Sequence, residues 1–286
     1  MAGRVAMSST LAMGGVRKMR TRLAETVQYR LPLGDAEMPL NDWLGHKLQL
    51  SFRGEIHCIH CDRKTRKSFN QGYCYPCFTR LARCDSCIVK PENCHFFAGT
   101  CREPGWGEAN CMIEHIVYLA NTSGVKVGIT RGSQVPTRWM DQGATQALPV
   151  FRVSNRLQSG LVEVLFARHV ADKTHWQGML KGPGDVLDLA AARDALMAEC
   201  AADIETLQAA HGLAAIQPMP DAAETTIRYP VLEYPVKVKS FNLDKTPDIG
   251  GTLLGIKGQY LMFDTGVINM RKYGGYRLEL TTTTEI

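Results

Sequence analysis

The chain has 286 residues, of which 45% are hydrophobic, and a formal net charge of +5. This length and hydrophobic content exclude a largely disordered protein and predict one or two folded cores. The mild positive charge permits nucleic-acid binding without requiring it. No apolar run is long enough for a transmembrane helix, and no apolar segment precedes the N-terminal basic residues. We therefore expect a cytoplasmic protein with no membrane partner.

The chain begins with a segment of small residues and methionines, residues 1–16, which we expect to be a disordered tail. Residues 17–54 are predicted to form an N-terminal β segment. Within it, residues 26–31 and residues 46–52 alternate apolar and polar side chains, as half-buried strands do.

Nine of the ten cysteines lie between positions 58 and 111, within a polar, loop-rich segment, residues 55–112. Without a secretory signal, such a group indicates metal ligands rather than disulfides. Two Cys-x2-Cys pairs separated by twelve residues have the spacing of a zinc ribbon, because each pair turns two thiolates to one side. The sequence therefore predicts a structural zinc site formed by Cys58, Cys61, Cys74 and Cys77.

The remaining cysteines of this segment predict a second metal site. Its expected ligands are Cys84, Cys87, Cys94 and Cys101, with Cys111, His57, His60 and His95 as substitutes. The spacing leaves the ligand set open, and an iron–sulfur cluster is the alternative occupant because four thiolates can hold either. The absence of a Cys-x2-Cys-x2-Cys run favours zinc. Cys200, isolated among alanines, is expected to be a small core residue.

Basic side chains alternate with aromatic ones between and after the first two cysteine pairs. This pattern is typical of a surface that contacts backbone phosphates and stacks bases, so DNA or RNA is the expected partner. The alternative is that the aromatic residues pack the ribbon while the charges face water. The residues assigned to this nucleic-acid surface are Arg63, Lys64, Arg66, Lys67 and, further along the chain, Arg131.

The central segment, residues 113–182, predicts strand, strand, helix, strand, helix. Residues 116–120 and 125–130 alternate around a polar turn and predict a hairpin. A helix opens at Pro136, and residues 147–153 predict a third strand. Ser159 is expected to cap the next helix, on which Glu163 lies away from the apolar stripe.

Tyr118 after Val117, the run Lys126-Val127-Gly128-Ile129-Thr130, then Arg138 and Glu163 on successive helices resemble the GIY-YIG nuclease superfamily. The resemblance implies a three-stranded antiparallel sheet surrounded by helices. It also implies that Tyr118 helps to activate water, that Arg138 steadies the scissile phosphate, and that Glu163 holds one divalent metal, Mg²⁺ or Mn²⁺. Lys126 stands in place of the second motif tyrosine and would meet a phosphate as a point charge. As a whole, the sequence is similar to an uncharacterised bacterial family that joins a cysteine-rich segment to such a domain.

The last part of the chain is predicted to contain a helix, a linker and a small β unit. The helix occupies residues 183–214 and its regular part residues 186–210; residues 215–225 form the linker. The β unit covers residues 226–286. Its expected strands are residues 236–241 and 255–264, followed by a hairpin of residues 267–273 and 276–280.

These elements predict an α+β protein that consists of a zinc-ribbon-like segment, a GIY-YIG-like domain and a C-terminal β unit. The expected function is nucleic-acid processing by a divalent-metal-dependent phosphodiesterase. The alternative is a catalytically inactive zinc-ribbon module that binds DNA or RNA, or an adaptor, and the lysine at position 126 is its best support.

Overall fold

The computed structural model describes residues 6–285. The chain divides into two compact units: unit 1 comprises Met1–Phe78, Leu180–Gly182 and Arg228–Ile286, and unit 2 comprises Thr79–Met179 and Pro183–Ile227. Both units mix sheet and helix, as expected. Within residues 6–285, no helix combines the length and the apolar character needed to cross a bilayer.

The strands are, in chain order, Ala6–Gly15 (β1), Arg20–Arg22 (β2), Gln28–Leu33 (β3), Ala36–Pro39 (β4), Lys47–His57 (β5), Lys64–Thr65 (β6), His115–Asn121 (β7), Val125–Arg131 (β8), Gln146–Val153 (β9), Ile216–Pro218 (β10), Thr225–Thr226 (β11), Asp248–Lys257 (β12), Tyr260–Phe263 (β13), Gly266–Asn269 (β14) and Tyr276–Glu285 (β15). The α-helices are Tyr75–Arg80 (α1), Pro104–Asn110 (α2), Thr137–Asp141 (α3), Arg156–Phe166 (α4), Trp176–Met179 (α5), Leu189–Glu199 (α6) and Ala201–His211 (α7).

Unit 1 is built on a seven-stranded sheet in the order β1-β15-β5-β12-β13-β14, with β6 also paired to β5. Its central strand β5 buries Leu48 and Leu50 and exposes Lys47 and Gln49, the alternation expected of a strand with one face on a core. A smaller sheet has the order β2-β3-β4.

The N-terminal and C-terminal β segments, which we predicted as separate parts, therefore belong to one sheet. β5 pairs with β12 and β15, and β1 pairs with β15 along its length. The expectation of a disordered tail fails from residue 6 onward, because β15 supplies a full pairing partner for β1; residues 1–5 lie outside the described residues.

The C-terminal prediction also needs correction in detail. The single strand expected at residues 255–264 is the hairpin β12–β13, which turns at Gly258, where φ is +60°. Residues 236–241 form no strand, and their pairing is limited to a bridge from Ser240 to Val267. The expected final hairpin is absent because the 3₁₀ helix Met270–Tyr273 separates β14 from β15 and directs β15 back to β1 and β5.

Unit 2 contains an antiparallel sheet in the order β10-β9-β7-β8, with β11 also paired to β9. The predicted order strand, strand, helix, strand, helix is present as β7, β8, α3, β9 and α4. All seven residues of β7 are buried. Their core includes Val117, Phe151 and Phe166 and side chains of α6 and α7. Val117 and Tyr118 thus lie on β7, an inner strand of this sheet.

Three local expectations for unit 2 differ from the structure. α4 begins after Asn155, which forms a capping box with Gln158, while the predicted cap Ser159 lies inside the helix. The expected long helix is broken at Cys200 into α6 and α7. The expected linker, residues 215–225, instead contributes β10 and part of β11 to the sheet edge.

The predicted cysteine-rich segment, residues 55–112, is not one structural part. Its first four cysteines belong to unit 1, and its last five belong to unit 2. In unit 2 the segment packs closely on α4: a Cβ added at Gly160 would lie 2.5 Å from the backbone nitrogen of Glu92. Only a glycine permits that approach, so the cysteine loops lie directly against the backbone of α4.

Candidate functional sites

The first four cysteines lie on two short pieces of backbone in unit 1. Cys58 and Cys61 occupy the turn from β5 to β6, which is closed by hydrogen bonds from the Cys58 N–H to the Arg63 carbonyl and from the Asp62 N–H to the Cys58 carbonyl, each 2.9 Å. Cys74 and Cys77 flank the start of α1. The two pairs converge, and we call them the ribbon site.

The geometry of the ribbon site suits a single tetrahedral ion. All four sulfur atoms lie within 4.8 Å of one another, and the Cys61 and Cys74 sulfurs are 3.7 Å apart. Four thiolates at a Zn–S distance of about 2.3 Å have their sulfurs about 3.8 Å apart. The four cysteines could therefore bind a metal such as zinc, as the spacing predicted.

The environment of the ribbon site favours a thiolate at Cys58, whereas burial raises the pKa values of Cys74 and Cys77. Burial raises the pKa of the Cys58 thiol, but hydrogen bonds from the backbone of Cys61, Cys74 and His60 outweigh burial and lower that pKa to about 6. A thiol with this pKa is largely ionised at neutral pH, which is the form that binds a metal.

The basic side chains beside the ribbon site differ in their partners. Arg63, Arg66 and Lys67 are exposed, and the Lys67 ammonium lies 5.3 Å from the centre of the Phe69 ring. Lys64 is paired with Glu55 at 2.5 Å. Phe69 also stacks on Phe78, while Tyr75 is 58% exposed. Phe69 and Phe78 thus pack against each other, while Arg63, Arg66 and Lys67 form an exposed basic rim.

Arg131, the remaining residue predicted for the nucleic-acid surface, belongs to unit 2. It is half-buried and donates a 2.6 Å hydrogen bond to the side-chain oxygen of Asn110. Its guanidinium is therefore already engaged by a neutral partner.

The four residues suggested by the nuclease resemblance lie on four successive elements of unit 2. Tyr118 is on β7, Lys126 on β8, Arg138 on α3 and Glu163 on α4. Tyr118 pairs with Gly128 across the two strands. A Cβ at Gly128 would lie 2.8 Å from the Tyr118 hydroxyl oxygen, so the glycine of this motif makes room for the ring.

Tyr118 is fully buried, and its hydroxyl hydrogen-bonds the side-chain amide of Gln142 at 2.8 Å. When the Gln142 amide is turned to satisfy both its atoms, its nitrogen donates to the hydroxyl and its oxygen accepts from Arg138 at 3.1 Å and 3.3 Å. Burial raises the pKa of Tyr118 to about 12. The phenol therefore stays protonated and helps to position Arg138.

Lys126 and Glu163 have pKa values displaced toward neutrality. Burial lowers the pKa of Lys126 to about 8, against the opposing charges of Glu163 and Asp172, and its ammonium donates to the Asp172 carbonyl at 3.3 Å. Burial raises the pKa of Glu163 to about 7, although the charges of Lys126, Arg156 and Arg138 oppose the increase.

These mutual influences show that the structure brings Lys126, Arg138 and Glu163 together with Tyr118; we call the four residues the motif cluster. Among residues 6–285, Glu163 forms no direct ion pair. A half-buried carboxylate among cations, with its oxygens unpaired, can hold a hard cation and accept an anionic ligand beside it.

Sequence reasoning missed two participants in the motif cluster. Gln142 lies four residues after Arg138, the spacing that places side chains on one helical face, and this spacing could have identified it. Asp172 follows the predicted helix in a polar stretch that gave no comparable signal. Gln142 accepts hydrogen bonds from Arg138, and the charge of Asp172 favours the ammonium form of Lys126.

Four of the five remaining cysteines of the segment lie around a cavity in unit 2. The cavity is lined by four cysteines, which we call the cavity cysteines: Cys87, Cys94, Cys101 and Cys111. Asp85 and His95 line it as well. Cys84 is buried but is not in this lining, whereas Cys111, a predicted substitute, is. His57 and His60 belong to unit 1 and are not part of the cavity.

A family model described as "Protein of unknown function (DUF2797)" matches residues 45–278. The chain belongs to this family. No curated protein and no solved structure matches it.

The region shared with the DUF2797 model contains every part of the sites described above. It begins within the turn before β5 and ends within β15, so it includes the ribbon site, the cavity cysteines and the motif cluster. Membership agrees with the expected resemblance to an uncharacterised family. It assigns no activity, which has to be argued from the chemistry of the sites.

Proposed function

We propose that this protein processes nucleic acids and that unit 2 cleaves phosphodiester bonds with one divalent cation held at Glu163. The observation that carries the proposal is the half-buried Glu163 carboxylate, which has no direct ion pair among residues 6–285 yet lies within the influence of Lys126, Arg138 and Arg156. The resemblance of the same residues to the GIY-YIG superfamily supports it.

The balance of charge suits a phosphodiester substrate. Three cationic side chains, Lys126, Arg138 and Arg156, act on Glu163, while Asp172 supplies the one further negative charge that influences its pKa. A Mg²⁺ or Mn²⁺ ion at the carboxylate would add positive charge where negative charge develops on the phosphoryl oxygens. Hard cations favour carboxylate and water as ligands, so a single acid with open coordination positions is sufficient.

Each residue then has a distinct role. Glu163 would hold the cation in its ionised form, which predominates above pH 7. Arg138, held by Gln142, would contact the scissile phosphate. Tyr118 is fully buried and would orient Arg138 through Gln142. Lys126 would contribute its charge from a buried position below about pH 8.

The test is cleavage of fluorescently labelled single-stranded and double-stranded DNA and RNA by the full chain with Mg²⁺ or Mn²⁺. The decisive variant is Glu163→Gln, which removes the charge and retains the shape. The matched control is Glu205→Gln, because Glu205 is exposed on α7 of the same unit. We expect metal-dependent cleavage that falls at least about 100-fold in the first variant and is unchanged in the control.

Binding of Mn²⁺ to the same three proteins, followed by electron paramagnetic resonance, provides a readout that does not need the substrate. The proposal would be refuted by cleavage of equal rate in Glu163→Gln and the parent chain. It would equally be refuted if no nucleic acid in the panel is cut by the parent chain under conditions in which Mn²⁺ binds.

A second candidate is a module that binds nucleic acid without cutting it. The full burial of Tyr118 favours it, because that phenol has no access to an attacking water. The exposed Arg63, Arg66 and Lys67 beside the ribbon site would then carry the binding. Affinity that falls steeply with salt, is lost in Arg63→Ala with Arg66→Ala, and is unchanged in Glu163→Gln would support this candidate.

A further inference from the structure

Three side chains of the kinds that bind metals converge at the edge of the cavity in unit 2. One donor atom each from Asp85, Cys87 and His95 lies within 4.8 Å of the other two. Asp85 caps the 3₁₀ helix Ser86–Ile88, which contains Cys87, and His95 follows the 3₁₀ helix Pro91–Asn93. Two short helical turns therefore bring a carboxylate, a thiol and an imidazole to one point.

The imidazole of His95 is oriented by Thr100. Its Nδ1 atom lies 2.8 Å from the Thr100 hydroxyl oxygen, and that hydroxyl donates its own proton to the His95 carbonyl at 3.3 Å. Because the hydroxyl proton is already used, the oxygen accepts from Nδ1–H. The neutral ring then carries its lone pair on Nε2. A hydrogen bond at the other ring nitrogen is the usual means of orienting a metal-binding histidine.

The lone pair of His95 Nε2 faces a carboxylate oxygen. Nε2 lies 3.4 Å from Oδ2 of Asp85, which is longer than a typical N–H···O hydrogen bond of about 2.7–3.2 Å. Two electron-rich atoms that face each other repel unless a cation lies between them. Nitrogen and oxygen ligands about 2.1 Å from a tetrahedral zinc ion are about 3.4 Å apart. The observed separation is therefore the one that a shared ion requires.

The Asp85 carboxylate is held in place by two neighbours. Oδ1 accepts from the Ser86 backbone N–H at 2.6 Å, and Oδ2 accepts from Nε of Arg102 at 2.8 Å. Asp85 is buried, whereas Cys87 and His95 are partly exposed and give an ion a route from solvent. The carboxylate and the Cys87 thiolate together carry two negative charges, which balance the charge of a divalent ion.

Three donors leave one position of a tetrahedron open. The other cavity cysteines, Cys94, Cys101 and Cys111, do not belong to the group of donors that lie within 4.8 Å of one another. The cavity has a volume of about 10 Å³, which is the space for one water molecule. Three protein ligands and one water are a known coordination of zinc in proteins.

We propose that Asp85, Cys87 and His95 bind one zinc ion in unit 2, with a water molecule in the cavity as its fourth ligand. The mixture of imidazole, thiolate and carboxylate favours zinc over hard cations such as Mg²⁺, which prefer oxygen ligands alone. Asp85 is outside the ligand set that the sequence predicts. The site shares no residue with the motif cluster, so it does not depend on the proposed cleavage reaction.

The first test is the zinc content of the purified full chain. We expect two zinc ions per chain, one at the ribbon site and one at this site. Cys87→Ser and His95→Ala should each lower the content to one. Cys101→Ser is the matched control, because Cys101 lines the same cavity outside the group of three, and it should keep two.

Replacing zinc by Co²⁺ gives a second measurement, which counts thiolates. In Cys58→Ser, whose ribbon site lacks one ligand, the bound Co²⁺ should show tetrahedral absorption and the sulfur-to-cobalt charge transfer of one thiolate. In Cys87→Ser, the Co²⁺ at the ribbon site should show the charge transfer of four. We therefore expect the intensity per cobalt in the first variant to be about a quarter of that in the second.

A parent chain with one zinc ion would overturn the proposal, because His95 would then be protonated and paired directly with Asp85. Loss of one zinc ion in Cys101→Ser but not in His95→Ala would assign the metal to the cavity cysteines and overturn the ligand set. Equal charge-transfer intensity per cobalt in Cys58→Ser and Cys87→Ser would have the same meaning.

Discussion

Replacing Glu163 by glutamine should stabilise unit 2 at neutral and alkaline pH. The pKa of the folded carboxyl is about 7, whereas the ordinary pKa of a glutamate is 4.5. Ionising Glu163 therefore destabilises the folded unit progressively between pH 4.5 and about pH 7, and the full cost is present above pH 7. Glutamine carries no charge at any of these pH values.

The size of the effect follows from the displacement of the pKa. A rise from 4.5 to about 7 corresponds to about 3 kcal/mol, at about 1.4 kcal/mol for each pKa unit. Removing the carboxylate also removes a charge that favours the Lys126 ammonium. We therefore expect a net gain in the free energy of unfolding of about 2 kcal/mol above pH 7, and almost none below pH 4.5.

This difference in the free energy of unfolding can be measured by urea unfolding monitored by tryptophan fluorescence. Both chains should also carry the substitution Trp43→Phe. The three remaining tryptophans, Trp106, Trp139 and Trp176, all belong to unit 2, so the signal reports that unit alone. Glu205→Gln is the matched control. The reasoning is refuted if Glu163→Gln is destabilising above pH 7, or if its effect is the same at pH 4.5 and pH 8.

Two further substitutions test the ribbon site and the motif strands. Cys58→Ser should abolish zinc binding at the ribbon site and lower the unfolding free energy of unit 1 by about 3 kcal/mol or more, measured by zinc content and Trp43 fluorescence; unchanged zinc content would contradict the assigned ligands. Gly128→Ala should destabilise unit 2 by about 1–3 kcal/mol in thermal unfolding, because its Cβ would lie 2.8 Å from the Tyr118 hydroxyl. Gly105→Ala, on an open helix surface, is the control, and equal effects of the two alanines would argue against this steric explanation.

Sequence reasoning succeeded where the determining contacts are local. The order from β7 to α4 follows from the alternation of side chains and from turn residues within a few positions of one another. The ribbon site follows from two pairs of identical spacing, because each pair needs only its own turn to orient both thiolates. The cap of α4 was misassigned because Asn155 and Ser159 are both good capping residues, and only Asn155 has a partner, Gln158, at the third helical position.

Features that depend on distant contacts could not be predicted. β1 and β15 come from opposite ends of the chain, and the alternation in either strand does not identify its partner. The cavity cysteines are separated by unequal intervals, and their selection depends on how the loops fold against α4. The burial of Tyr118 depends on strand β7 being covered on both of its faces, which a motif does not reveal.

Helix α4 connects the cavity cysteines with the motif cluster. Arg156, at its first turn, acts on Cys87 and Cys111, and Glu163, two turns later, acts on Lys126. Gly160 lies between them and allows the cysteine loops to approach the helix backbone. A zinc ion bound by Cys87 and His95 would fix these loops and, through them, the position of the helix that carries the acid. Loss of that metal should therefore weaken cation binding at Glu163 even though the two sites share no ligand, and this coupling can be measured by Mn²⁺ binding to His95→Ala.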